Sequence, residues 1–457
     1  MNQRAQRVSG RSLAVVAIAL VGMVAAACTA ATATPATNRS APQPSVPSSI
    51  AVPNPSASAT FPQPTDAATQ SHTPVTLASL GPVPTGRWTS IEWTQVSAPP
   101  VFAEAQASPG DLGHSWSVFG WSRGYVAFDE VRDSPNGGAA VTEIQTYSSP
   151  DGMQWTSGVR LTYGYPVYIS GVVEGPAGLL AVATFVPGTC SGPPNVALVW
   201  LSTDGITWRQ AAVFSVAAVD IEGGPAGYIA IGNTVEGKNP AWISFDGANW
   251  KHVDMTAAAF KGVDAVESGA AFSGGFVLAG TTLGAAQGCG GYPNPLTGSL
   301  WWSADAKTWS RDVLSGTTTA AQVSMSVRRL NDTALLATQS SSDGIGGPTV
   351  SSSWTSTDGR NWKSISIPAS LDIASAMIVT NGRRGLVLSN STDETKPAPI
   401  LAFQDDLTLT ELTQTGDIPD QTVMQIWANQ QLALGPTGIV VVSNDGSSLW
   451  LGVPVAA

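Results

Sequence analysis

A seven-residue pattern, Ser-x-Asp-Gly-x-x-Trp, recurs along this chain and constrains its fold more than any other feature. An aromatic residue stands two places before the serine of every copy, and the fourth copy has Ala306 in place of glycine. The five copies start at Ser149, Ser202, Ser244, Ser303 and Ser356. A pattern repeated at intervals of 40–60 residues indicates one small structural unit that buries its apolar face against its neighbours.

Short apolar segments recur at the same interval and add two further units. They begin at Gly124, Gly178, Gly227, Gly275, Thr333, Gly385 and Gly438. No segment between them keeps a helical period, so each unit consists of strands and turns. Seven such units predict an all-β fold, a seven-bladed β-propeller of four-stranded antiparallel blades.

The third unit shows how the pattern fits a blade whose strands are lettered A to D outward from the centre. We predict strand A at 216–222, B at 227–233, C at 241–244 and D at 249–255. The Asp-Gly pair then lies in the C–D hairpin, where Asp accepts backbone hydrogen bonds and Gly adopts positive φ. This assigns a structural role to Asp151, Asp204, Asp246, Asp305 and Asp358. A catalytic or metal-binding role is the disfavoured alternative.

Units six and seven lack the full pattern. Unit six has Gln404-Asp405-Asp406 without a tryptophan, and unit seven has Trp450 but no D strand after it. Residues 88–97, upstream of unit one, resemble an unpaired D strand with Trp93 at the tryptophan position. We therefore expect this N-terminal strand to pair with the C-terminal blade and close the ring, which removes exposed sheet edges.

The N-terminus carries the marks of export. Three arginines precede an apolar run at 13–27 that is short for a membrane span and typical of a signal peptide. The run ends Ala25-Ala26-Ala27-Cys28, which resembles a bacterial lipobox. We predict a lipoprotein-type signal peptide at 1–28 and a lipid on Cys28 that anchors the protein to the outer face of the cell membrane. Ordinary cleavage, with Cys28 incidental, and an uncleaved anchor are the alternatives.

The remaining chain divides into a linker and the propeller. Residues 29–86 are rich in Ala, Thr, Pro and Ser, and we predict a disordered spacer because they offer little apolar surface to bury. The propeller should span 87–457. A net charge of −11 argues against nucleic-acid binding. We expect no cofactor and a monomer.

The repeated boxes resemble the Asp-box (BNR) repeat of sialidase-like propellers, although here Gly directly follows Asp and Trp comes one place earlier. The resemblance covers roughly residues 87–457 and implies a propeller whose boxes lie opposite the sugar-binding face. Sialidases also require an Arg-Ile-Pro motif, which this chain lacks. No catalytic residue can be carried over. His114 and His252 suggest neither a Ser-His-Asp triad nor a zinc site.

These observations favour a non-enzymatic lipoprotein of the cell envelope that presents one propeller face to a glycan, peptide or protein. A divergent sialidase-like glycoside hydrolase and an envelope assembly factor are the alternatives. Candidate ligand contacts on the face formed by the D–A and B–C loops are Tyr163, Tyr165, Tyr292 and Arg132. Packing of the tyrosines over blade seams is the alternative.

Two further features belong to the same loops. Cys190 and Cys289 occupy similar long B–C loops and are predicted to form a disulfide in an oxidising compartment, with free thiols as the alternative. Asp129, Glu130, Arg132 and Asp133 are placed in the first B–C loop, where they suggest either a cation site or a solvated loop. No set of residues predicts a metal site.

Overall fold

The computed structural model describes residues 82–457 except 106–113, 134–140, 164–166, 186–195, 217, 234–238, 284–295, 315–318, 321, 343–349, 368–375, 389–398, 418, 420–430 and 444. Seven separate β-sheets account for nearly all of its regular structure. The sheets form a seven-bladed β-propeller, as predicted. A short helix, α1 (Pro100–Ala105), and a 3₁₀ turn at Ala258–Phe260 are the helical elements of the described part.

Six blades follow one another along the chain, each with strands in the order A, B, C, D. Blade one contains β2 (His114–Trp121), β3 (Gly124–Asp133), β4 (Val141–Ser149) and β5 (Thr156–Tyr163). Blade two contains β6 (Val167–Gly175), β7 (Gly178–Phe185), β8 (Ala197–Ser202) and β9 (Arg209–Phe214). Blade three contains β10 (Ala218–Gly224), β11 (Gly227–Asn233), β12 (Ala241–Ser244) and β13 (Lys251–His252).

Blade four contains β14 (Val263–Phe272), β15 (Gly275–Leu283), β16 (Leu296–Ser303) and β17 (Ser310–Asp312), and β18 (Thr319–Ala320) also pairs with β16. Blade five contains β19 (Gln322–Arg329), β20 (Leu335–Ser342), β21 (Val350–Ser356) and β22 (Lys363–Ile365). Blade six contains β23 (Met377–Thr380), β24 (Gly385–Leu388), β25 (Ile400–Phe403) and β26 (Leu409–Glu411). Within each blade, successive strands pair antiparallel.

Blade seven combines both ends of the described chain. It contains β28 (Leu432–Leu434), β29 (Ile439–Val442) and β30 (Ser448–Ala456), and its outer strand is β1 (Trp88–Ser97). The antiparallel register runs from Trp88 opposite Ala456 to Ser97 opposite Ser448. The predicted closing strand therefore has the predicted bounds and partner.

The outer edge of this blade holds a strand that the sequence did not predict. β27 (Thr413–Gly416) follows the D strand of blade six and pairs in parallel with residues 90–93 of β1. The closing strand is thus hydrogen-bonded on both sides. Its side chains also enter the core, where Trp88, Ile91 and Trp93 are buried.

The apolar core lies mainly between neighbouring blades. One cluster joins Trp121 and Phe128 of blade one to Leu179 and Trp200 of blade two, and comparable clusters occur at the other seams. Strands buried on both faces explain why the B strands read as continuous apolar runs. Each blade thus buries surface that it could not bury alone.

Candidate functional site

The predicted boxes form closed hydrogen-bonded turns in the C–D hairpins. In blade two, Asp204 Oδ1 accepts hydrogen bonds from the amides of Ile206 and Thr207 at 2.9 and 2.8 Å. Ser202 Oγ accepts one from the Gly205 amide at 2.8 Å, and Trp208 Nε1 donates to the Gly205 carbonyl at 3.2 Å. The side chains of Ser202, Asp204 and Trp208 are therefore all hydrogen-bonded within the turn.

Hydrogen bonding to the box carboxylates stabilises their charged form. The amide and side chain of Asn249 hold the pKa of Asp246 well below its usual range. The amides of Thr308 and Lys307 lower the pKa of Asp305 to about 2. Such acidic groups are ionised at neutral pH and cannot act as general acids. In the third and fourth boxes, the aspartates thus accept the backbone hydrogen bonds of the turn.

Blade seven contains a related turn that sequence reasoning overlooked. Ser443 Oγ donates to Asp445 Oδ1 at 2.6 Å, and Asp445 Oδ1 accepts from the Ser447 amide at 3.0 Å. This turn joins β29 to β30, which are strands B and C, so it lies at the end of the blade opposite the other boxes. The sequence Ser-x-Asp-Gly at 443–446 could have indicated this turn, but the tryptophan that follows the glycine by three places in the other boxes is missing.

A cavity with a volume of about 290 Å³ lies in the central channel, lined by described residues. Its wall comes from the A strands of six blades, β2, β6, β10, β19, β23 and β28, mostly from residues near the strand ends. The cavity therefore lies toward the end of the channel where the A–B turns are found, which we call the A–B end. The sequence had placed the site at the other end.

A charged cluster spans the cavity from blade five to blade three. Arg328 Nη1 donates hydrogen bonds to Glu222 Oε1 at 3.1 Å and to Asp220 Oδ2 at 3.4 Å. Asp220 and Glu222 are two residues apart on β10, so their side chains lie on the same face of the strand. Their side chains are 46% and 20% exposed, and that of Arg328 is 38% exposed, so solvent reaches the cluster.

The cluster is electrostatically asymmetric because two carboxylates share one guanidinium. Burial raises the pKa of Glu222, and the charge of Asp220 raises it further, while Arg328 and Arg329 oppose the rise. Arg329 itself donates to Asp332 Oδ1 at 2.7 Å. No local sequence pattern pairs Arg328 with Asp220 or Glu222. Only 12% of the residues in this chain are charged. Two acidic residues on one predicted inner strand were therefore the available sequence signal for a charged cluster in the channel.

The prediction that residues 129–133 form a loop is wrong, because β3 continues to Asp133. Asp129 is fully buried and contacts His114 Nδ1 at 2.9 Å. Glu130 is also buried, and its Oε1 accepts a hydrogen bond from the amide of Ile169 in blade two at 2.7 Å. Asp129 thus links two strands of blade one, and Glu130 links blade one to blade two. Arg132 lies on β3, and its side chain falls outside the described residues.

Tyr163 is the candidate contact whose side chain the structure describes. It ends β5, and its ring meets the edge of Trp200 in blade two with centroids 6.4 Å apart. It therefore packs in the seam between blades, which was the alternative to ligand stacking. Tyr165, Tyr292, Cys190, Cys289 and Cys28 lie outside the described residues, as does the whole predicted signal peptide.

No cluster of three or more His, Cys, Asp or Glu side chains in the described part of the chain has an arrangement that could hold a metal ion. No helix in the same residues is long and apolar enough to cross a membrane.

No protein-family model matches the chain, and no curated protein matches it. Among solved structures, the propeller domain of the Trilobed protease from Pyrococcus furiosus is similar at 7% identity, covering 74% of this chain and 94% of that one with a TM-score of 0.38. The family 117 glycoside hydrolase Zg3597 from Zobellia galactanivorans is similar at 11% identity, with 67% and 86% covered and a TM-score of 0.32. Aleuria aurantia lectin is similar at 13% identity, with 67% and 97% covered and the same TM-score.

Proposed function

We propose that this protein is a non-enzymatic lipoprotein of the cell envelope whose propeller binds a glycan, peptide or protein ligand. In this proposal the lipid on Cys28 holds the chain at the outer face of the membrane, and residues 29–86 form the spacer. The boxes belong to the Asp-box class of propeller repeats and serve the fold. Two of the proposed elements, the anchor and the spacer, rest on sequence alone.

One observation carries the non-enzymatic part of the proposal. Arg328, which lines the channel, donates to both Asp220 and Glu222. A sialidase needs free arginines to hold the carboxylate of its substrate, and this guanidinium is already held by two carboxylates of the protein itself. Arg329 is similarly engaged by Asp332. An acidic sugar would have to break these ion pairs before it could bind.

A divergent glycoside hydrolase is the second candidate, and the same cluster supplies the observation in its favour. Retaining glycosidases use two carboxyl groups about 5–5.5 Å apart, one of them with a raised pKa. Asp220 and Glu222 both lie within hydrogen-bonding distance of one nitrogen atom, and the pKa of Glu222 is raised. The two carboxylates, however, lie on one strand rather than on opposite walls of a cleft.

Substrate hydrolysis separates these two candidates. The purified chain should be incubated with a panel of 4-nitrophenyl glycosides that includes a sialoside, and tested in parallel for retention of envelope glycans. We expect retention of at least one envelope component without release of nitrophenol. Release that disappears in Glu222→Gln but persists in Glu411→Gln, a change at the exposed last residue of β26, would establish the hydrolase instead.

The anchor is tested by fractionating cells that express the full chain. Cys28→Ala should move the protein from the membrane to the soluble fraction, whereas Thr34→Ala in the spacer should leave it in the membrane. Membrane retention of Cys28→Ala would refute the lipid anchor. It would leave the binding proposal for the propeller intact.

A further inference from the structure

The central cavity has two chemically different sides. Blades three and five contribute Asp220, Glu222 and Arg328, while blades six and one contribute the partly buried side chains of Phe119 and Met377. At about 290 Å³ it lies at the lower end of the roughly 300–1,000 Å³ range of small-molecule sites. A ligand for this space must therefore be small and must have both a polar and an apolar part.

We propose that the cavity at the A–B end of the channel binds a small organic cation of the alkylammonium class. Its charged group lies against Asp220 and Glu222, and its hydrocarbon part lies on the wall formed by blades six and one. This inference rests on the proposed binding function and names the chemistry of one ligand. The opening of the cavity to solvent, seen in the 46% exposure of Asp220, provides access.

The balance of charge in the cavity wall selects a cation over an anion. Asp220 and Glu222 share the single guanidinium of Arg328. Glu174, a third carboxylate of the wall, is hydrogen-bonded by the neutral amide and hydroxyl of Ser122. Arg329 also acts on Glu222 through its charge, but it donates its hydrogen bond to Asp332. An added cation would satisfy unshared carboxylate oxygens, whereas an added anion would meet arginines that are already paired.

The same geometry couples binding to a proton. Glu222 faces Asp220 on its own strand and Arg328 and Arg329 on β19, and its pKa is raised by burial and by Asp220. A cation placed beside it favours the ionised carboxylate, so binding at neutral pH should release a proton from the protein. Neutral or anionic ligands of the same length would not produce this release.

Three probes of equal chain length test the selection directly: n-hexylammonium, 1-hexanol and hexanoate. Isothermal titration of the full chain at pH 7 should detect hexylammonium with an affinity at least about tenfold higher than either other probe. Repeating the titration in buffers of different ionisation enthalpy should reveal the expected proton release.

Isosteric variants locate the site. Asp220→Asn and Glu222→Gln should each weaken hexylammonium binding roughly tenfold, the effect expected for the loss of one hydrogen bond to a charged group. Glu222→Gln should also abolish the proton release. Glu411→Gln, at the exposed last residue of β26, is the matched control and should bind like the unchanged protein. Thermal melts of all three variants verify that the fold is retained.

The outcomes distinguish this inference from the proposed function. Equal binding of the three probes, preference for hexanol or hexanoate, or unchanged binding in folded Asp220→Asn and Glu222→Gln would each overturn the cation site. The protein would still be a binding lipoprotein if it retained an envelope component without hydrolysis. Hydrolysis of a glycoside would refute the proposed function whatever the result with hexylammonium.

Discussion

The side-chain amide of Gln404 pairs with both backbone groups of Trp88. Its Oε1 accepts from the Trp88 amide at 3.0 Å, and its Nε2 donates to the Trp88 carbonyl at 2.9 Å, in a fully buried setting. Gln404 follows strand C of blade six, at the place where a box would start. At the position of the box serine, blade six therefore carries a side chain that binds the first residue of the closing strand.

Replacing Gln404 by Glu should destabilise the propeller. Glutamate offers no donor to the Trp88 carbonyl and places a charge where the side chain is only 3% exposed. A buried group left without its hydrogen bond costs about 1–3 kcal/mol, and more when it is charged. Chemical denaturation measures the loss. Gln210→Glu, on the exposed face of β9, should change stability by less than about 0.5 kcal/mol, and an equal loss in both variants would contradict this role.

The glycine that starts strand B should be required in blades where its Cα lies against the backbone of the box serine. Gly178 has a φ of +116°, and a Cβ there would come within 2.3 Å of the Ser202 carbonyl oxygen. Gly178→Ala should therefore lower the melting temperature strongly, because neither backbone segment can move freely. Gly171→Ala, whose Cβ would meet its nearest neighbour at 3.7 Å, should be tolerated. A melt of Gly178→Ala that matches Gly171→Ala would refute the steric argument.

The fourth box offers a stabilising substitution. Ala306 has a φ of +58°, a left-handed conformation that the other four boxes assign to glycine. Ala306→Gly should remove a steric cost of about 1 kcal/mol and raise the denaturation midpoint. Ala248→Gly, at the next position of the third box, should give no gain because it only increases the freedom of the unfolded chain. A lower denaturation midpoint for Ala306→Gly would show that Ala306 is not strained.

Stability should depend on pH through Glu222. Its raised pKa means that the folded protein binds this proton more tightly than the unfolded chain. The stabilisation is complete below the ordinary pKa of glutamate and is lost as pH rises through the raised value. Melts at pH 5 and pH 8 should therefore differ less in Glu222→Gln than in the unchanged protein. Identical pH dependence in both proteins would exclude this contribution.

The sequence predicted the architecture well because the repeat records local chemistry. Each box closes its own hairpin, so Asp204 and Trp208 can be interpreted without reference to distant residues. The closing strand at 88–97 was also predictable, since unit seven visibly lacked a D strand.

Other features depend on contacts between distant parts of the chain. Arg328 meets Glu222 across the channel, more than a hundred residues apart, and no local pattern pairs them. Asp129 and Glu130 were misread as loop residues because polar residues rarely occupy buried strands, yet His114 and the Ile169 amide satisfy them there. The parallel pairing of β27 with β1 likewise follows from where blade six meets blade seven.

Removal of residues 87–97 should lower stability strongly, because it takes away the outer strand of blade seven. Both β30 and β27 would then lose the strand with which they pair. The buried side chains of Trp88, Ile91 and Trp93 would leave the core as well. The deleted protein should melt far below the full chain or fail to fold. A melt equal to that of the full chain would exclude closure by this strand.

Hydrogen exchange of the intact protein tests ring closure most directly, because it requires no substitution. Backbone amides of β1 that pair with β30 or β27 should exchange as slowly as those of β29 in the same blade. Mass spectrometry of peptides covering 88–97 and 439–442 provides the comparison. Matched slow exchange is the result that closure by β1 predicts, and exchange of 88–97 at the rate of an unstructured chain would contradict it.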